Sequence, residues 1–244
     1  MENDSKEKNN IVKKINDLVT GNVLNNLVYA SMITIYFMFF NMYAVFTETE
    51  IFTKKIEEKE TNVMKLMIAS DIHGSAYYCL EMLDAMKKEC PDRLLLLGDI
   101  LYHGPRNDLP LEYEPKKVIK MLNEVKEKLF CVRGNCDTEV DQMVLDFPIM
   151  ADYAVIPCGN RIIYATHGHH HNVMTPIPMQ PGDILLHGHT HVPAWEPFGN
   201  ENLYLNPGSV SIPKENSAHS YMILEDGLAK WKNLYGEVYH ELML

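Results

Sequence analysis

Between Met64 and His191, five short apolar runs each give way to a glycine flanked by Asp, Asn or His. Leu66–Ser70 leads into Asp71-Ile72-His73-Gly74, and Leu94–Leu97 leads into Gly98-Asp99. Phe130–Val132 precedes Gly134-Asn135-Cys136-Asp137, Arg161–Thr166 precedes His167-Gly168-His169, and Ile184–His187 precedes Gly188-His189-Thr190-His191. Runs this short, bounded by turn residues, read as buried β-strands and not helices. Between the first three runs the apolar period changes. Ala76, Leu80, Leu83 and Ala85–Met86 recur at helical spacing behind a Ser75 cap. Pro115 suits a first helical turn, with Val118, Leu122, Val125 and Leu129 along one face. Strand–helix–strand–helix–strand implies a parallel α/β unit with right-handed connections. Beyond about residue 150, strands including Leu203–Leu205 and Tyr221–Leu224 follow one another without helices, so the second half should complete a β-rich layered α/β sandwich.

The polar blocks therefore sit at strand ends, where open α/β sheets assemble their sites. Taken singly, each block has a plain structural explanation. Asp-x-His is common, Gly-Asp and Gly-Asn are turn dipeptides, and the His169–His171 run suits a solvated loop. His189 and His191 share a face at a strand end, which is more specific. The conjunction carries the weight: Asp71, His73, Asp99, Asn135, His167, His189 and His191 all lie at predicted strand ends. Imidazole, carboxylate and amide oxygen suit borderline first-row ions such as Mn, Fe, Zn or Ni. The donors exceed what one tetrahedral ion needs, and they suit two ions sharing a carboxylate, the arrangement of two-metal hydrolases.

Read in order, D-x-H, G-D, G-N-x-D, H-G and G-H-x-H over residues 64–210 resemble the calcineurin-like metallophosphoesterases. The strings Ser70–Gly74, His103–Asn107, Arg133–Asp137 and Asn206–Val210 are similar to the YfcE-type bacterial phosphodiesterases within that superfamily. The resemblance implies a four-layered α/β/β/α sandwich. It implies one metal held by Asp71, His73, Asp99 and His191, and a second held by Asn135, His167 and His189, with Asp99 bridging. It further implies two divalent ions, Mn foremost, and attack on a phosphodiester by a hydroxide between them. Most of the family has His after Gly-Asn as the leaving-group acid. Here that residue is Cys136, whose thiol is a poor substitute at its ordinary pKa of about 8.5. That departure favours diesters with good leaving groups, and His103 and His169 are the remaining candidate acids. Arg106, with His103, is a candidate phosphate contact, whereas Arg133 reads as a structural ion-pair residue. Asn206-Pro207-Gly208-Ser209 should be a turn that supports the site from behind. The rival functions are a protein-interaction scaffold of the same fold and a nuclease acting on short oligonucleotides.

The chain has 244 residues and a formal net charge of -11. Such a balance argues against duplex nucleic acid or an anionic surface as a partner and leaves small phosphodiesters open. A homo-oligomer is compatible with everything so far. Five cysteines without a C-x-x-C pair suit a reducing cytoplasm. Residues 1–63 differ in character from the domain expected over residues 64–244. They contain an uncharged stretch from Leu24 to Phe46, long enough for a bilayer but diluted by Asn25, Asn26, Ser31, Thr34 and Asn41. It is no ordinary secretory signal, because the apolar run starts late and no small-residue cleavage pattern follows closely. Two readings remain: a single membrane anchor over about residues 24–46, or an upstream extension preceding a true start at Met64.

Overall fold

Alternation along short strands builds the core of residues 64–244. In the computed structural model, which describes residues 2–60 and 64–244, β1 (Leu66–Ala69) is buried along its whole length. Met67 and Ala69 join one apolar cluster while Leu66 and Ile68 join another, as period-2 side-chain alternation requires. In β2 (Arg93–Leu96), Leu94 and Leu96 join the first cluster and Leu95 the second. The first cluster lies under α2 (Ala76–Glu89) and α3 (Pro115–Asn123), through residues such as Cys79, Met82, Val118 and Leu122. The second combines strands of two different sheets, so it fills the space between them.

The first sheet has the order β11-β10-β9-β1-β2-β3. Here β3 is Leu129–Cys131, β9 Ser220–Glu225, β10 Leu228–Asn233 and β11 Val238–Met243. Strands β1, β2 and β3 are parallel, and β9 runs antiparallel to β1. The second sheet has the order β4-β5-β6-β8-β7. Its strands are β4 (Tyr153–Cys158), β5 (Arg161–Thr166), β6 (Ile184–His187), β7 (Ala194–Phe198) and β8 (Asn202–Asn206). Strands β5, β6 and β8 are parallel, with antiparallel β4 and β7 at the edges. Two mixed sheets flanked by helices are the layered sandwich that the strand pattern implies. Strand β1 lies inside the first sheet and β6 at the middle of the second.

The Ser75 cap is present, its hydroxyl accepting from the Tyr78 N–H. One helix face was over-extended from sequence. Helix α3 ends at Asn123, Lys126–Lys128 form a 3-10 turn, and Leu129 opens β3. Leu129 matches the helical period because it is buried in the same cluster as Val118 and Leu122, but as a strand residue. Strands β4, β7, β10 and β11 escaped the sequence reading. Charged, polar or proline residues interrupt their apolar pattern, as in the Glu196-Pro197 of β7.

Residues 2–60 form a separate unit, a single helix α1 (Glu2–Glu60) of 59 residues, about 90 Å long. Its segment Lys8–Val45 is long and apolar enough to cross a membrane, and none of its most apolar window is buried. The side chain of Phe46 lies outside the described residues.

Trp231 of β10 is fully buried between the sheets, and its Nε1–H donates to the Asn206 carbonyl at 2.7 Å. Trp231→Phe removes that buried hydrogen bond and should cost about 1–3 kcal/mol, read as a lower urea midpoint by circular dichroism.

Candidate active site

The backbone brings the polar blocks together before any side chain does. The hydrogen bonding of β1 to β2 continues past both strands. Asp71 N–H donates to the Gly98 carbonyl at 3.1 Å and His73 N–H to that of Asp99 at 2.9 Å. The block after β1 is thereby held in step with the block after β2. Gly98 and Gly134 touch so closely that a Cβ on Gly98 would overlap the Gly134 backbone, so these strand ends tolerate no side chain there. Gly188 is similarly confined, because a Cβ on it would collide with the Ser70 hydroxyl. Asp71, His73, Asp99, His189 and His191 have φ of 59°, 48°, 55°, 65° and 63°, in the left-handed region that non-glycine residues seldom adopt. Such strain persists only where the surroundings over-determine it, and it gathers at functional sites.

All seven candidate ligands converge. The Asp71 Oδ1 lies 3.3 Å from His191 Nε2 and 3.5 Å from His73 Nε2, and these two nitrogens are 3.3 Å apart. The Asp99 Oδ2 lies 3.7 Å from His73 Nε2 and 3.4 Å from His167 Nε2. His167 Nε2 in turn lies 3.1 Å from both Asn135 Oδ1 and His189 Nδ1. Asp99 thus stands between a group built on Asp71, His73 and His191 and a group built on Asn135, His167 and His189. Two ligands each about 2.1 Å from one ion, at roughly a right angle, lie about 3 Å apart, so these spacings match shared coordination spheres.

Proton placement agrees with that fit. His73 Nδ1 faces the Tyr102 carbonyl at 2.7 Å, His167 Nδ1 that of Leu97 at 2.7 Å, and His191 Nδ1 that of Ile212 at 2.6 Å. A carbonyl only accepts, so each Nδ1 carries a proton and Nε2 is the nitrogen that faces inward, where a metal ion would take the place of its proton, the usual support for a metal-binding imidazole. The buried Asp71 Oδ1 has no hydrogen-bond partner. Lone pairs and a carboxylate oxygen aimed at one point repel one another unless positive charge lies among them. Burial should raise the Asp71 carboxyl, yet His191 and His73 hold it well below the usual range. Burial likewise disfavours a charged His167, yet Asp99 and Asp71 raise it to about 9. The negative field asks for cations.

Asp137, the last residue of the third block, organises the centre without entering it. Its Oδ2 accepts the N–H groups of Asp99 (2.8 Å) and Gly134 (2.7 Å), and its Oδ1 accepts that of Ile100 (2.9 Å). The Cys136 N–H donates to Asp99 Oδ1 at 2.8 Å, and the His189 N–H to Asp71 Oδ2 at 3.1 Å. Each ligand carboxylate is therefore fixed through one oxygen, with the other turned inward. The Asn206–Ser209 segment supports the site as the sequence suggested. Ser209 and Ser211 hydroxyls donate to the Asp71 carbonyl at 2.9 and 3.1 Å, and Asn206 Nδ2 donates to the Gly188 carbonyl at 3.0 Å.

The cluster opens into a cleft of about 440 Å³ lined by Asp99, Asn135, His189 and His191, with Arg106 and Cys136 also at its wall. Burial, with Asp99 beside it, pushes the Cys136 thiol above its ordinary value. His103 does not line the cleft; its ring packs edge-on against Tyr102 and Tyr113, with centroids 4.8 and 5.1 Å away. The His169 ring lies 6.4 Å from that of His189, and burial beside His167 and His170 lowers its pKa to about 4. Arg133 donates through Nε to the Asp137 carbonyl and lies 4.0 Å from Glu139, the structural role read from sequence. Lys214 and Thr190 also line the cleft and were missed, Lys214 because it belongs to no recognisable block and Thr190 because it is the variable position of Gly-His-x-His; both are exposed side chains on connecting loops.

Residues 64–226 match the family model of the calcineurin-like phosphoesterase superfamily domain. The chain is 46% identical over 164 residues to phosphodiesterase YfcE of Escherichia coli K12, covering 67% of this chain and 89% of that protein. It is 28% identical over 171 residues to a Bacillus subtilis protein named as a probable metallophosphoesterase, YsnB, covering 66% and 83%. A solved structure of the E. coli phosphoesterase YfcE superposes with a TM-score of 0.70 at 41% identity, covering 74% of this chain and 99% of that one.

The Asp137 cradle gives a direct test. Asp137→Asn replaces one acceptor oxygen by an N–H donor facing a backbone N–H. Divalent-metal affinity, measured by calorimetric titration, should fall about 10–100-fold, and stability in urea by about 1–3 kcal/mol.

Proposed function

The chain belongs to the calcineurin-like phosphoesterase superfamily, and from that premise we propose that it is a binuclear metal-dependent phosphodiesterase. The observation that carries this reading is the unpartnered Asp71 Oδ1 facing the Nε2 atoms of His73 and His191, beside an equivalent grouping across Asp99. Asp71, His73, Asp99 and His191 would hold one divalent ion, and Asp99, Asn135, His167 and His189 the other. Mn is the preferred ion, with Fe, Zn or Ni as alternatives that the N/O donor set also accepts. When bound, such ions lower the pKa of a water that attacks phosphorus in line, and they neutralise charge on the phosphoryl oxygens.

The protein's own residues do the positioning. Asp99 and Asp71, each fixed by a backbone N–H, keep one oxygen apiece directed at the centre. The imidazoles are pinned by the carbonyls of Leu97, Tyr102 and Ile212, so little reorganisation is needed as charge develops. Arg106, exposed at the cleft wall, offers a guanidinium to an anionic oxygen of the substrate. Cys136 replaces the histidine that most of the family has at this place, and a thiol is a poor leaving-group acid, which supports diesters whose leaving group departs as a stable oxide. The net charge of -11 argues for a small substrate and against long nucleic acids.

For residues 1–63, the helical segment Lys8–Val45, long and apolar enough to cross a membrane and unburied in its most apolar window, supports an anchor over about residues 24–46. The free thiols of Cys79, Cys90, Cys131, Cys136 and Cys158 support a cytoplasmic setting for residues 64–244. On this reading, native full-length protein sediments with membranes and needs detergent for release; recovery in the soluble fraction with an N-terminus at Met64 overturns the anchor.

Activity is tested on chelator-treated protein with bis-p-nitrophenyl phosphate beside p-nitrophenyl phosphate. Turnover should return with Mn and favour the diester, and Asp99→Asn or His189→Ala should lower kcat/KM by at least about 10²-fold. Full metal-dependent activity in either variant overturns the assignment. On a diester with a poor, alkoxide-type leaving group, where loss of a general acid costs roughly 10²–10⁴-fold, Cys136→Ala should lose no more than about tenfold.

A further inference from the structure

Two cations, Arg106 and Lys214, line the cleft above the candidate ligands. They come from loops 108 positions apart in a chain of net charge -11, and neither forms an ion pair with a carboxylate among the described residues. An unpaired cation on an acidic protein is ordinary on open surface. Two on separate loops lining one cleft make a positive wall.

Their loops are built into the site. The Arg106 loop begins at Tyr102, whose carbonyl accepts from His73 Nδ1 at 2.7 Å. It turns at Gly104, with φ of 78°, where a Cβ would lie 3.3 Å from Cys136 Sγ, and is tied again by Asn107 Nδ2 donating to the His103 carbonyl at 2.8 Å. The Lys214 loop follows Ile212, whose carbonyl accepts from His191 Nδ1 at 2.6 Å, and the Lys214 N–H donates to the His191 carbonyl at 3.1 Å. The Lys214 carbonyl then accepts from the Ser217 N–H and hydroxyl at 3.0 and 2.6 Å, closing a turn. Both cations are thus mounted on segments fixed to His73 and His191, the two imidazoles grouped with Asp71.

We infer that the substrate is a phosphodiester whose retained arm carries a second anionic group, a phosphate or a carboxylate, which Arg106 and Lys214 bind at the His73–His191 side of the cleft. This rests on the phosphodiesterase reading above and specifies its substrate. The cleft of about 440 Å³ exceeds what a lone phosphoryl group fills, and the described residues that line it include Thr190 and Asn107 but no Phe, Tyr or Trp on which a nucleobase would stack. A singly charged diester leaves one cation without a partner. A doubly anionic one engages both, one guanidinium through its two-pronged donors and one ammonium as a point charge.

The test uses full-length protein in detergent with Mn and three diesters sharing one leaving group: ethyl, 2-carboxyethyl and 2-phosphonooxyethyl p-nitrophenyl phosphate. In the parent protein, kcat/KM should be at least about tenfold higher for one or both anionic arms than for the ethyl ester, through KM. The better of the two identifies carboxylate or phosphate. In Arg106→Gln/Lys214→Gln the ratio of anionic to ethyl ester should collapse towards unity, whatever the absolute rate. Arg106→Lys/Lys214→Arg, which keeps both charges, should restore a preference. A ratio near unity in the parent, with the ethyl ester turned over, overturns this inference and leaves the phosphodiesterase reading intact. A preference that survives the double glutamine variant also overturns it. Absence of turnover on all three esters overturns the reading and the inference together.

Discussion

Two carboxylates buried side by side are the constraint on which the rest of this domain depends. Asp71 and Asp99 are 0% and 2% exposed, and taking two like charges out of water is strongly unfavourable unless opposite charge and hydrogen bonds surround them. The domain answers in layers. One oxygen of each accepts a backbone N–H, from His189 for Asp71 and from Cys136 for Asp99. The other faces imidazoles whose far nitrogens are tied to main-chain carbonyls. A third buried carboxylate, Asp137, takes three N–H groups of the neighbouring turns and so fixes the path that presents Asp99. What remains uncompensated is a small region of concentrated negative potential, and that is where divalent cations belong.

The sheets exist, in this view, to deliver strand ends to one place. Asp71 and His73 follow β1, Asp99 follows β2 and Asn135 follows β3 of the first sheet, whereas His167 follows β5 and His189 and His191 follow β6 of the second. The stacking of the sheets across the cluster containing Leu66, Ile68, Ile163, Ile184 and Leu186 sets the distance between the two ligand groups. Positive φ at five candidate ligands is the cost of turning each segment sharply enough to aim its side chain inward. Glycines at positions 98, 134 and 188 allow it, since their neighbours approach within the radius of a Cβ.

Much of this is legible in the chain because the same residues carry two signals. A strand buried on both faces must be nearly all apolar, so Leu66–Ala69 and Ile184–His187 stand out, and the polar block that ends each one is visible by contrast. Strand β4 alternates exposed and half-buried positions at a sheet edge, and β7 carries Glu196 and Pro197, so neither contrasts with its surroundings. Leu129 shows the converse failure: burial against α3 gives it helical periodicity although it begins a strand. Within the site, side chains that touch the centre were legible by type. Lys214 and Thr190 were not, because an exposed Lys or Thr on a loop has no chemical signature until folding places it beside a cleft. The carbonyls of Leu97, Tyr102 and Ile212 have no sequence signature, since every residue carries one.

The charge distribution links the site to its choice of substrate. A chain of net charge -11 disfavours long polyanions spread over its surface, whereas within the screening length of about 8 Å at physiological salt the local pattern decides. That local pattern is cationic at the cleft wall, through Arg106 and Lys214, and negative at its floor, through Asp71 and Asp99. A small anion can therefore be held at the wall only while cations cover the floor, so occupation by metal and binding of substrate reinforce one another electrostatically. Cys136 fits the same arrangement. A histidine at that place could add positive charge beside Asp99, whereas the buried thiol stays neutral, packs against Gly104 and leaves the floor's demand for positive charge to the metal ions.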